Sequence, residues 1–140
     1  FILFYLDLDH FKPVNDTYGH DMGDKLLKEA ATRLQSCIRS NDYAFRIGGD
    51  EFSLVVCTEF DESLCCRIKE QIQNRLCAPF DIDGKTLYVG SSCGYAAYPR
   101  DASTANEIRI LADQRMYAEK EKHHMFSSLS SSSTGSGLEK

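Results

Sequence analysis

Two acidic pairs set the chemistry open to this chain. One is Asp50–Glu51, in the run Arg46-Ile47-Gly48-Gly49-Asp50-Glu51-Phe52, which continues as Ser53-Leu54-Val55-Val56. The flanking apolar runs read as strands, so the acids fall in the tight turn of a β-hairpin. Glycine lets the backbone bend there and lets a ligand come close. Adjacent carboxylates exposed at a turn suit a hard divalent cation or proton transfer. The other pair, Asp7 and Asp9, interrupts an earlier apolar strand. If that strand lies beside the hairpin, Asp7 and Asp50 converge. Two carboxylates and a backbone carbonyl then make a half-shell of hard oxygens for Mg2+, which completes its coordination with water and substrate phosphates.

Groups suited to a phosphorylated, base-bearing ligand lie close by in the sequence. Free N–H groups over Asp9–Lys12, with the Lys12 ammonium, could hold a phosphate tail. The helix that starts near Asp21 is a poor phosphate site because its first turn is acidic. Asn15 and Asp24 suit a guanine edge: a carboxylate accepts from the ring N–H and exocyclic amine, and an amide both donates and accepts.

The elements that must position these groups follow from periodicity. Phe1–Leu8 reads as a buried strand and Asp9–His20 as a polar connection. A helix follows, with Asp21 as N-cap and Asp24 at capping-box spacing, burying Leu26, Leu27, Ala30, Ala31, Leu34 and Ile38. Tyr43–Ile47 and Phe52–Cys57 are the hairpin strands. A second helix starts near Asp61, buries Leu64, Ile68, Ile72 and Leu76, and stops at Pro79. Asp83-Gly84 is the turn between strands Phe80–Ile82 and Thr86–Tyr95, and Pro99-Arg100-Asp101 is a loop. A last helix runs from about Thr104 to Lys122, with Ile108, Leu111, Ala112 and Met116 buried. Interleaved strands and helices with two hairpins predict an α/β (α+β) domain, its central sheet mixed rather than all parallel. Residues 127–140 are a Ser/Gly-rich linker or tail, leaving 1–126 as the folded domain.

Composition narrows the class. The chain has 140 residues, 42% of them hydrophobic and 26% charged, enough for one domain with its own core. A net charge of −5 argues against nucleic acid across a broad face, so an anionic ligand needs local cations, N–H groups or metal. Six cysteines without a C-x-x-C pair read as reduced thiols, mostly in the core of a cytosolic domain. No stretch is long and apolar enough to span a bilayer, and no membrane contact is expected of this domain. The chain opens inside an apparent strand, as a piece of something longer does.

Asp7-Leu8-Asp9-His10-Phe11-Lys12, Asn15-Asp16, Gly19-His20, Gly23-Asp24 and Gly48-Gly49-Asp50-Glu51-Phe52 resemble the motifs of GGDEF-family diguanylate cyclases, and Ala112-Asp113, Met116-Tyr117 and Lys120 resemble that family's C-terminal helix. The resemblance implies a mainly antiparallel sheet flanked by helices, similar to adenylyl cyclase and polymerase palm domains. It implies that two GTP molecules are condensed to cyclic di-GMP with release of two pyrophosphates, each subunit of a homodimer holding one GTP. Asp7, the Leu8 carbonyl and Asp50 are then expected to hold Mg2+ or Mn2+, and Glu51 to help deprotonate the ribose 3′-hydroxyl. Lys12 and Lys120 are expected on the phosphates, Lys12 also stabilising transition-state charge, and Asn15 and Asp24 on guanine. His20 either binds substrate or hydrogen-bonds its loop. Arg39-Ser40-Asn41-Asp42 matches the family's R-x-x-D motif, so Arg39 and Asp42 are either a feedback site for the product or surface charges at a helix end. The expected setting is the cytoplasmic output domain of a bacterial signalling protein, including one that is membrane-bound.

The chain also departs from the pattern. The D-x-L-T-G-L-x-N-R segment with which the family usually begins is not in the sequence. Arg115 and Glu119 replace small residues, and His123-His124-Met125 stands where Gly-Arg/Lys-Asn is usual. His124 thus takes the place of a phosphate-binding Arg, and a neutral imidazole grips phosphate less well. The His123-His124 pair lacks metal-ligand spacing and reads as a solvated helix end. These departures carry an alternative: a catalytically weak GGDEF domain that binds GTP or cyclic di-GMP and regulates a neighbour such as an EAL phosphodiesterase domain.

Overall fold

The computed structural model describes residues 1–133, with side chains to residue 125. Its elements are β1 (Ile2–Asp9), α1 (Phe11–Tyr18), α2 (His20–Gln35), β2 (Tyr43–Gly48), β3 (Glu51–Val56), α3 (Glu62–Cys77), β4 (Phe80–Ile82), β5 (Lys85–Leu87), β6 (Gly90–Ala97) and α4 (Ala105–Ser133). Four strands form a sheet in the order β2-β3-β1-β6, and β4 and β5 make a separate ribbon. Every pairing is antiparallel. The expected helix-flanked, mainly antiparallel architecture is therefore present, without a parallel pair among the described residues.

Alternation along β1 decides what faces where. Ile2, Phe4, Leu6 and Leu8 are buried in one core with Leu26, Leu34, Ile72 and Leu76, so this face lies under α2 and α3. Burying each such side chain stabilises the fold by about 1.5–3 kcal/mol, an upper bound for a denatured chain that is itself partly compact. The odd residues point the other way: Tyr5 packs with Ala96, Ile108 and Ala112 beneath α4. Asp7, two residues on, therefore lies on the α4 face.

Two close approaches fix the helices. A Cβ at Gly94 of β6 would strike the Met116 amide nitrogen and lie 2.5 Å from the Ala112 carbonyl oxygen, so glycine lets α4 rest directly on the strand. Arg33 of α2 donates to the carbonyls of Arg75, Ala78 and Pro79 at 2.8, 2.9 and 2.7 Å, and its guanidinium lies 3.7 Å from the Phe80 ring centroid. It thereby satisfies carbonyls that the end of α3 leaves without helical partners.

Several expectations are corrected. Residues expected as a polar connection form α1: Pro13 falls in the first turn, where no N–H is required, and Phe11 and Val14 turn toward the core. The N-cap of α2 is Gly19 rather than Asp21, which sits in the first turn and favours the helix through the dipole. Asp61 does cap α3, accepting from the Leu64 N–H at 3.3 Å. The strand expected over Thr86–Tyr95 is broken, because β5 pairs only with β4 while β6 pairs with β1. Helix α4 continues past Lys122 to Ser133; no Pro or Gly interrupts it, and serine costs a helix little. Of the tail expected over 127–140, residues 134–140 lie outside those described. All six cysteines are free, but only Cys37, Cys65 and Cys93 are buried; Cys57, Cys66 and Cys77 are exposed. Burial pushes the Cys93 thiol up to about 12.

Candidate active site

Asp7 sits near the end of the central strand β1, opposite Glu51 on β3 and Ser92 on β6. Directly paired residues share a sheet face, so Asp7 and Glu51 project on the same side. The hairpin turn is drawn onto β1 by its backbone: Leu8 N–H donates to the Asp50 carbonyl at 3.1 Å. Gly49 takes φ 53° in that turn, and the Arg46 guanidinium grips its carbonyl at 3.0–3.1 Å. Asp50 and Glu51 are thus held at the sheet edge beside Asp7.

From the other side, α4 brings Lys120, whose Nζ donates to Asp7 Oδ2 at 2.6 Å. The other carboxylate oxygen, Asp7 Oδ1, is buried without a hydrogen-bond partner. Burial pushes the Asp7 carboxyl pKa up; the Lys120 bond and charge oppose this, and repulsion from Asp9 and Asp50 adds to it. Burial also works against the Lys120 ammonium, but its bond to Asp7 and the charges of Asp7, Asp50 and Asp9 outweigh that and raise its pKa. The two directions are compatible: the ammonium sees three carboxylates, whereas Asp7 is the group that is desolvated. One ammonium among three acids leaves negative charge uncompensated.

A buried orphan carboxylate oxygen, a second acid and a nearby main-chain carbonyl are hard donors that suit a divalent ion. No three His, Cys, Asp or Glu side chains group around a common point among the described residues. A bound ion would therefore draw further ligands from the main chain, water or substrate, as magnesium does. Glu51 is partly buried and accepts from the Tyr5 hydroxyl at 3.2 Å.

The residues expected to meet a base form a second group. Asn15 on α1 and His20 at the start of α2 are in contact, with Nδ2 to Nδ1 at 3.0 Å. The amide nitrogen can only donate, so in this contact His20 accepts through Nδ1. A Cβ on Gly23 would collide with Asn15 Oδ1, so this glycine is what lets the amide lie against α2. Asp24 is the next residue and is exposed. Lys12 lies in the first turn of α1, largely exposed and 3.3 Å from Asp16 Oδ2. The α1 N-cap, His10, contributes no side-chain bond to the turn's N–H groups.

Arg39 and Asp42 lie at the opposite end of the β2–β3 hairpin from Asp50. Asp42 is not the surface charge that one reading allowed. It is buried, accepts from the Arg39 N–H and Nε–H at 3.1 and 3.4 Å, and accepts from the Cys57 N–H at 3.0 Å. Burial alone would raise its pKa, but these bonds and the Arg39 charge bring it below the ordinary carboxylate value. The Arg39 side chain stays 61% exposed.

Two residues of the site escaped the sequence reading. His123 is not merely a solvated helix end: its Nδ1 lies 3.0 Å from Asp9 Oδ2 and 3.1 Å from Ser92 Oγ. Ser92 donates to Asp9 at 2.9–3.0 Å. Strand alternation does put Asp9 on the face of Asp7, but nothing local in sequence brings residues 92 and 123 to it.

Comparison with known proteins identifies the family of the fold. The family model described as "Diguanylate cyclase, GGDEF domain" matches residues 1–125. The chain is 38% identical over 122 residues to the bifunctional diguanylate cyclase/cyclic di-GMP phosphodiesterase MucR of Pseudomonas aeruginosa, covering 87% of this chain and 18% of MucR. It spans 14–34% of the length of MucR and two other curated relatives. A sensory box/GGDEF family protein from Caulobacter crescentus superimposes with TM-score 0.81 at 40% identity, covering 86% of this chain and 78% of that one. The GGDEF domain of DgcB from the same organism, solved in complex with cyclic di-GMP, superimposes with TM-score 0.74 at 26% identity over 86% of this chain and 72% of its own. The chain belongs to the GGDEF domain family.

Proposed function

We propose that this domain is a diguanylate cyclase, condensing two GTP into cyclic di-GMP and two pyrophosphates. The observation that carries the reading is the buried, unpartnered Oδ1 of Asp7 beside the Asp50–Glu51 turn and the Lys120 ammonium. Asp7, the Leu8 carbonyl and Asp50 would hold Mg2+ or Mn2+, which supplies charge neutralisation at phosphate and a lowered hydroxyl pKa. Glu51 takes the proton of the ribose 3′-hydroxyl as its oxygen attacks the α-phosphorus of the other GTP. Lys12, at the start of α1, and Lys120 neutralise phosphate charge, and Lys12 supports the charge that develops in the transition state. Asn15 and Asp24 read guanine, and His20 holds the Asn15 amide in place. The two substrates come from two copies of the domain, so turnover requires a homodimer. Arg39 with Asp42 forms a product site, where Asp42 fixes the backbone and Arg39 offers its guanidinium to phosphate or a guanine edge. The domain works in the cytoplasm without nucleic acid or membrane contact; none of the described helices is long and apolar enough to cross a membrane.

A second reading has its own support. His124 replaces the expected cation, and MucR joins both activities in one chain. A weak domain of this kind would bind GTP or cyclic di-GMP and regulate its neighbour.

Incubating the longer natural chain with GTP and Mg2+ and separating the nucleotides decides between them. Cyclic di-GMP is the expected product, absent with Asp50→Ala or Glu51→Gln. Tight GTP binding without product selects the regulator, and full activity in either variant removes the site assignment. Arg39→Ala is expected to keep turnover and relieve product inhibition; unchanged inhibition removes the product site.

A further inference from the structure

Of the described side chains of α4 past Met116, those of residues 117–125, none is buried; they are exposed or half-buried. Polar contacts hold this stretch against the sheet. Asp7 and Asp9, two apart on β1, face Lys120 and His123, three apart on α4, at 2.6 and 3.0 Å. The spacings match, because two strand residues rise about 6.6 Å and three helix residues about 4.5 Å, within reach of long side chains. Ser92, fully buried, donates to Asp9 and stands 3.1 Å from His123 Nδ1. A hydrogen bond from His123 to the Asp9 carboxylate requires the Nδ1–H tautomer, in which Nδ1 donates.

The two contacts respond differently to a ligand. A divalent ion on Asp7 Oδ1 would share the carboxylate's charge and weaken its hold on the Lys120 ammonium at Oδ2, leaving the ammonium freer to turn to phosphate. Asp9 and Ser92 are outside the proposed ligand set, so the His123 bond survives. We propose that His123, anchored by Asp9 and Ser92, is a positioning residue that keeps the Lys120–His123 turn of α4 over the ends of β1 and β6 and presents Lys120 to the triphosphate of a guanine nucleotide. The proposal rests on the reading that this site takes GTP.

A double-mutant cycle tests it, with GTPγS and Mg2+ titrated calorimetrically into the parent, His123→Ala, His123→Asn, Lys120→Ala and the His123→Ala/Lys120→Ala pair. His123→Ala is expected to weaken binding roughly tenfold, the size of one lost charge-assisted hydrogen bond. His123→Asn, whose Nδ2 can replace Nδ1 as donor to Asp9, is expected to restore most of it. The double variant is expected to bind no worse than Lys120→Ala, because without the ammonium there is nothing left to position. Unchanged binding in His123→Ala, additive losses, or no rescue by asparagine would overturn the positioning role while leaving GTP binding intact. A parent that does not bind GTPγS overturns this proposal and the GTP reading together.

Discussion

Lys120 Nζ lies 2.6 Å from Asp7 Oδ2, joining the last helix to the first strand across 113 residues. The contact only partly stabilises the acid: burial still holds the Asp7 pKa above its ordinary value, and Oδ1 has no partner. The protein therefore carries at this edge a charge that its own groups leave under-compensated, which is the condition a cation would relieve.

Asp7→Asn is accordingly expected to abolish turnover without destabilising the metal-free fold. A raised folded-state pKa favours folding fully below the unfolded carboxyl value of about 4, and that advantage is lost as pH rises through the folded value. At pH 7 the ionised Asp7 is thus a cost, which asparagine removes. The melting temperature of the metal-free variant at pH 7 should equal or exceed the parent's, and added Mg2+ should raise only the parent's. A variant that melts well below the parent would contradict this account.

Gly23→Ala should separate base recognition from stability. The new methyl collides with Asn15 Oδ1, the end of a side chain that can rotate away, and lies 3.2 Å from Phe11 Cζ, a ring tip that must give by only a few tenths of an ångström. The helix gains from alanine by about 1 kcal/mol, so melting should hold or rise. Displacing the amide also breaks its bond to His20. GTP affinity should fall severalfold and discrimination against ATP should shrink; an unchanged GTP/ATP ratio would mean Asn15 does not read the base.

Much of this arrangement was legible in sequence, for reasons visible in particular residues. The buried strand β1, the Leu26–Leu34 stripe and the Asp61 cap obey local rules of apolar run, period and capping, and the structure follows them. Local rules failed where a competing local signal won. Asp9–His20 looked like a polar connection yet holds a helix with Pro13 in its first turn, and Asp21 looked like a cap although Gly19, two residues earlier, already ends one helix and begins the next. The Asp9–Ser92–His123 cluster was illegible for a different reason. It is assembled by three elements whose packing depends on Gly94, and an isolated glycine in a strand does not announce which helix will lie on it.

That dependence gives Gly94→Ala a specific outcome. A Cβ there meets backbone atoms of Met116 and Ala112, which cannot rotate aside. Overpacking of this kind costs typically about 1–3 kcal/mol, and here α4 must lift off β6. Both melting temperature and nucleotide binding should fall, because the helix that moves carries Lys120 and His123. A variant with parental stability and parental binding would mean that α4 does not rest on β6 as described.

The far end of the hairpin supplies the acid limb of stability. Asp42 is buried and accepts three hydrogen bonds, so its folded pKa lies below the unfolded value despite desolvation. A depressed pKa adds stability above the unfolded value of about 4, and that contribution is lost as pH falls through the lower folded value. Asp101, which accepts from the Ala97 N–H and pairs with Arg100 and Arg115, is depressed in the same way. Asp42→Asn keeps an acceptor for Cys57 but turns an amide donor toward the Arg39 N–H groups. It should lower unfolding free energy at pH 7 by about 1–3 kcal/mol. It should also flatten, without abolishing, the loss of stability below pH ~4, since Asp101 still titrates. Urea unfolding of parent and variant at pH 7 and pH 3 measures both effects. If the difference between them does not shrink at the lower pH, the Asp42 carboxylate is not the group that holds the Arg39 turn to the end of β3.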